Sequence, residues 1–150
     1  MPAPSVDCKA RPGGIEAWHF VRVDGTTEYL QESPAVGVLY QIEGPLKLCA
    51  QGLHGSRKAL DALRYASGPV CQRTWHTGEI LEGDDKLCSE DRTVRWQFDA
   101  MRVLHDFALE VAEEALRKAA ARDASQDAAR DRFNGRLEEL LAAAHEERDE

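Results

Sequence analysis

Two cysteine–histidine pairs repeat one spacing in this chain, Cys49-x4-His54 and Cys71-x4-His76, and Cys88 follows them. Four such ligands could form a tetrahedral zinc site. On an extended chain, however, a separation of five puts two side chains on opposite faces, so only a bend at Gly52 could bring Cys49 and His54 together. The spacing is also wrong for a zinc knuckle. The pattern favours buried thiols beside two independent histidines, and no bound metal is expected.

His54 at a strand end, a helix closing on Tyr65 and a strand starting at Val70 suggest a second chemistry. That order loosely resembles part of the ADP-ribosyltransferase fold, which implies groups that hold a nicotinamide dinucleotide. Such a reaction also needs a carboxylate aimed at the ribose, and Glu90 is the candidate. Catalytic candidates are thus His54, Tyr65 and Glu90. No Gly-rich phosphate loop, GxSxG or HExxH occurs anywhere in the chain, which points away from the common catalytic sets. Asp84, Asp85 and Lys86 form a third cluster, where paired carboxylates could hold a hard cation or a lysine could neutralise them. A solvated turn is the simpler reading.

The elements that must position these groups are β-rich. Residues up to Pro12-Gly13-Gly14 read as a flexible lead-in. Ile15 to Val23 is β-branched and aromatic, Asp24-Gly25 is a hairpin turn, and Thr26 to Leu30 reads as the returning strand. Val36 to Ile42 and Leu46 to Ala50 read as a second hairpin around Glu43-Gly44-Pro45. Ser56 is placed to cap a short helix through Leu63, ended by Gly68-Pro69. Val70 to Trp75, Glu79 to Leu81 and Thr93 to Phe98 complete the strands, with Gly83-Asp84-Asp85-Lys86 as a turn. The fold class is α+β, with a small, mostly antiparallel sheet.

From about Asp99 the apolar period becomes helical through Met101, Leu104, Ala108, Val111 and Ala115. That stripe must pack on the sheet or on a second copy of itself. An Ala-rich spacer follows, then an apolar face of Phe133, Leu137, Leu140, Leu141 and Ala144, interrupted at Asn134-Gly135. The spacing predicts three parts: a flexible stretch 1–14, an α+β domain 15–98, and a helical appendage 99–150. Leu104, Val111, Phe133, Leu137 and Leu141 are the expected self-association face, making the protein a homo-oligomer through its C-terminal helices.

Net charge is -8. Residues 1–92 carry 10 Lys/Arg against 13 Asp/Glu and residues 93–150 carry 9 against 14, so both halves are acidic. Direct nucleic-acid binding needs a basic face and is not expected. With no apolar run approaching the roughly 20 residues of a membrane span, and no apolar leader after Met1-Pro2-Ala3-Pro4, a cytoplasmic protein with reduced cysteines is expected.

Gly37-x-x-Tyr40, Gly44, Leu48-Cys49, Gly52-Leu53-His54-Gly55-Ser56, Leu60-Asp61-Ala62-Leu63-Arg64-Tyr65-Ala66, Gly78-Glu79-Ile80 and Gly83-Asp84-Asp85-Lys86-Leu87 together resemble an uncharacterised domain of bacteriophage and prophage genomes. The resemblance spans about residues 15–141, with the tail segment Asn134-Gly135-Arg136-Leu137-Glu138 included. The tail here is short, and Gly135 stands where a basic residue is usual. The resemblance implies phage origin, hence the cytoplasm of a bacterial host, and implies no activity. The combined expectation is a phage accessory protein that works without a cofactor by binding a host or phage protein. Inhibition of a host defence factor, as anti-CRISPR proteins do, is the preferred form. Its binding residues are His54, Ser56, Tyr65, Asp84, Asp85 and Lys86. An ADP-ribosyltransferase-like nucleotide-binding enzyme, or a degenerate relative, is the first alternative. A structural accessory of the phage particle is the second.

Overall fold

The computed structural model describes residues 13–24, 35–121 and 126–148. The chain divides into two compact units, Met1–Asp99 and Ala100–Glu150.

The first unit is built on β4 (Val70–Glu82) and β5 (Leu87–Asp99), two thirteen-residue strands paired antiparallel. The polar segment Gly83 to Lys86 turns between them, closed by Gly83 N–H donating to the Lys86 carbonyl at 2.7 Å. Short strand candidates separated in the sequence are therefore parts of one long hairpin, bent by irregularities at Arg73/Thr74 and Thr77/Ile80. β1 (Ile15–Val21) adds to the free edge of β4. On the other side, β2 (Leu39–Gln41) and β3 (Leu53–Gly55) share the edge of β5, at Asp91–Thr93 and Leu87–Ser89 respectively. All these pairings are antiparallel, and with the helices they make the expected α+β fold.

Two local expectations change. The segment Leu46 to Ala50 does not return along β2; it coils into a turn closed by Lys47 and Gln51, because β2 is paired with β5 instead. The helix α1 spans Ala59–Arg64 and its N-cap is Lys58, not Ser56. Ser56 is occupied elsewhere, exchanging backbone hydrogen bonds with Trp18 at 2.7 and 2.9 Å. The expected strand Thr26 to Leu30 lies outside the described residues.

Alternation sorts the sheet into two chemistries. In register across β1 and β4, Trp18 lies opposite Arg73 and Phe20 opposite Cys71, with Trp96 and Phe98 continuing those rows on β5. Trp18 and Trp96 meet edge to face at 5.8 Å, and the Arg73 guanidinium sits 4.2 Å from the Trp18 ring. The opposite rows are polar and buried: Gln72 and Thr74 are each 0% exposed, as is His76, which pairs with Arg92. Gln72 accepts or donates along a ladder, with His19 Nδ1 at 3.1 Å from its Oε1 and its Nε2 donating to Gln97 Oε1 at 2.9 Å.

The second unit pairs α2 (Met101–Ala121) with α3 (Gln126–Glu146). Arg136 reaches Glu110 and Arg132 reaches Glu114, so one helix climbs as the other descends. Leu137 and Leu141 are each fully buried and Phe107 nearly so, while Leu104 and Val111 are half-buried. Phe107, the bulkiest apolar side chain of α2, takes the seam. Met101 lies roughly 120° around the helix from it and is left exposed, as are Ala108 and Ala115. α3 runs without a break through Asn134-Gly135, since a glycine in a helix costs only about 1 kcal/mol, less than burying two leucines returns. The stripe expected to require a second copy is thus covered in large part within one chain, with Phe133 half-buried beside Lys118, whose Nζ is 5.8 Å from its ring.

Candidate functional site

The bend at Gly52 is real and has a local cause. Its φ is +138°, open to glycine, and a Cβ there would come within 2.8 Å of the Cys88 Cβ. Gly55 is equally constrained, because a Cβ would sit 2.7 Å from His76 Nε2 and 3.0 Å from the Ala17 Cβ. The Gly52-Leu53-His54-Gly55 segment therefore lies flat on β5 and beside β1, and delivers His54 to a cavity of about 370 Å³. That volume falls within the range of small-molecule sites.

His54, Ser56, Tyr65 and Lys86, four of the expected binding residues, line this one cavity. Its apolar wall comes from Trp18, Phe20, Leu53, Ala62 and Ala66. Asp85 stands behind the rim, where its carboxylate accepts from the Tyr65 hydroxyl at 2.6 Å and lies 3.6 Å from Arg64. Asp84 is an exposed turn residue and does not line the cavity. Glu90, the proposed ribose-directing carboxylate, is also absent from the lining: it accepts from the Glu79 N–H at 2.9 Å and packs on Gly78.

The rim is a relay of polar contacts. Lys86 Nζ donates to Cys49 Sγ and lies 4.4 Å from the Tyr65 ring centroid. Its pKa is raised, first by the contact with Cys49. The Asp85 carboxylate in turn raises the Tyr65 pKa, so the phenol stays protonated as the donor. Cys49 has a φ of +66°, the one described non-glycine residue in the left-handed region, which costs about 1–2 kcal/mol unless its surroundings hold it. They do: Cys49 N–H donates to His54 Nε2 at 3.1 Å. That nitrogen must be unprotonated to accept. Burial, and after it the positive charges of Arg92 and Lys86, push the His54 pKa down and keep it so.

Arg92 was not among the expected residues, and it forms the floor. It is 1% exposed, and Nη1 donates to the His54 carbonyl at 2.8 Å. Its Nε and Nη2 meet no acceptor among the described residues, and no carboxylate there pairs with it. The neighbouring polar groups cannot offset the charge. Burial and then Arg92 itself push His19 down to about 3 and drive His76 well below the usual histidine range, so both stay neutral. Burial pulls Arg92 down to about 10, which still leaves it charged at neutral pH. A buried charge without a counter-charge costs several kcal/mol. In the sequence, Asp91-Arg92-Thr93 looks like any polar strand entry, and nothing local marks the arginine as buried.

The two Cys–His pairs part company. Cys49 and His54 meet through the Gly52 bend, whereas Cys71 and His76 alternate to opposite faces of β4, where the His76 nitrogens engage Thr74 Oγ1 at 3.0 Å and Ser89 Oγ at 2.7 Å. Among the described residues no three His, Cys, Asp or Glu side chains gather as a metal site. No helix there is long and apolar enough to cross a membrane. No family model matches the chain, and no curated protein or solved structure is significantly similar to it.

Proposed function

We propose that the first unit is a receptor for a small organic anion, one carboxylate or phosphate on an apolar body, and that the protein acts by binding. The single observation behind this is Arg92: a buried guanidinium under a cavity, lacking a counter-charge among the described residues. An anion in the cavity would supply that charge, with Lys86 at the rim adding a second cation. Trp18, Phe20 and Leu53 would take the apolar body.

The test is calorimetry with matched pairs, aryl and alkyl carboxylates against their uncharged amides. The acids should bind at least about tenfold more tightly than the amides, a modest demand on one buried charge. Equal binding, or none by any acid, would end the proposal.

A protein-binding role in phage infection, directed against a host factor, is a second reading. It is favoured by an exposed apolar ridge on α2, where Met101, Leu109 and Leu116 are 59, 53 and 73% exposed within about one third of the helix circumference. Co-purification from host lysate with wild type, but not with Leu109→Asp/Leu116→Asp, would support it.

A further inference from the structure

Cys49 is exposed, backbone-strained and held from two sides, which is more than a structural thiol requires. Cys71 is the contrast: it is 0% exposed and burial pushes its pKa up to about 12, so it is inert. At Cys49 the Lys86 ammonium donates to the sulfur, and His54 fixes the backbone that carries it. The same His54 residue is held from below by Arg92 Nη1, so one residue separates Cys49 from a guanidinium whose Nε and Nη2 meet no acceptor among the described residues. Both ends line one cavity.

We infer that Cys49 is the nucleophile of this pocket, forming a covalent adduct with anionic conjugate acceptors: acids carrying an α,β-unsaturated carbonyl. The inference rests on the receptor reading, because the Arg92 charge is what would select the acid. The Cys49 S–H gives up its proton to solvent, a sulfur electron pair forms an S–C bond to the β-carbon, and the π pair moves to the α-carbon. The Lys86 ammonium, already hydrogen-bonded to the sulfur, gives that carbon its proton and regains one from solvent. No oxidant or reductant enters. Tyr65 and Asp85 are positioning residues here: the ring lies against the ammonium, and the carboxylate holds the phenol.

The experiment compares monoethyl fumarate, an anion, with diethyl fumarate, its neutral analogue, by peptide-mapped mass spectrometry of the full chain over time. A free thiol such as glutathione reacts faster with the neutral diester. At Cys49 the order should reverse, the monoester reacting at least about tenfold faster relative to glutathione, since a buried cation acts on the acid alone. Lys86→Met should slow both reagents at Cys49, whereas Arg92→Met should slow only the monoester. The diester remaining the faster reagent at Cys49, or the adduct forming at another cysteine, overturns the inference. Calorimetry of monoethyl succinate, which has no double bond, with Cys49→Ser reads the receptor alone. Binding there together with diester-preferring alkylation removes the covalent step and spares the pocket. No binding removes both.

Discussion

The two units handle charge in opposite ways. In the helix pair, cations sit at the surface with partners in reach: Arg136 chelates Glu110 at 2.9 and 3.1 Å, and Glu114 gathers Arg117, Lys118 and Arg132. In the sheet unit, the most deeply buried cation, Arg92, meets no carboxylate among the described residues and stands among histidines that burial, and then its own charge, keep neutral. Surface pairs of the first kind are worth little to stability and keep a chain dissolved. A buried unpaired charge works against folding, so its presence calls for a reason outside the fold. The same holds for Cys49, whose left-handed backbone lies beside it.

The largest expected effect lies in the helix pair, where the core is apolar and has no tolerance for charge. Leu137→Asp places a carboxylate at a fully buried position and should cost at least about 3 kcal/mol, seen as loss of the helical circular-dichroism transition. If the transition is unmoved, the pairing of α2 with α3 is wrong.

Acid should separate the units next. Burial holds the native His19 pKa at about 3 and that of His76 well below 6.5, so the unfolded chain takes up protons first as pH falls. Their contribution is complete above pH 6.5. It drains between 6.5 and the native values, by about 1.4 kcal/mol per pH unit for each group. The helix-pair carboxylate Glu110 is depressed by Arg136, so its smaller contribution is lost only as pH falls below about 4.5. All three tryptophans, Trp18, Trp75 and Trp96, lie in the first unit and report it alone. Their fluorescence melt should move down between pH 6.5 and 5; a flat profile there would refute the neutral-histidine floor.

The smallest effect should be Arg136→Ala, which breaks an exposed pair and should barely shift the helical transition, less still in high salt. A larger loss would mean that surface pairing carries the helix unit.

The sequence disclosed these regions unequally. The Gly83 to Lys86 turn, the Gly52 bend and the meeting of His54, Tyr65 and Lys86 follow from local signals, namely turn chemistry, glycine placement and a short helix between two strands. The partners of β2 and β3 do not: both lie on β5, more than thirty residues away, and nothing within Leu39–Gln41 or Leu53–Gly55 names that edge. Arg92 was hidden for the same reason. Its burial exists only once β1, β3 and β4 have closed around β5, and an arginine on a strand otherwise reads as solvent-facing. The helix seam was misread by one step, toward Ala108 rather than Phe107, because alanine satisfies an apolar period without deciding which face is heavier.

The central claim is that Arg92 is kept for a ligand and not for the fold. Tryptophan-detected thermal unfolding of wild type and Arg92→Met, each with and without a saturating organic acid that calorimetry has shown to bind, reads both halves of that claim. Without acid the variant should melt at or above wild type, since an apolar side chain of similar length removes an uncompensated buried charge. Acid should then raise the melting temperature of wild type, by the equivalent of about 2.7 kcal/mol at a hundredfold excess over Kd, and leave the variant unmoved. A variant that melts well below wild type, or an acid that raises the melting temperature of the variant as much as that of wild type, would contradict it.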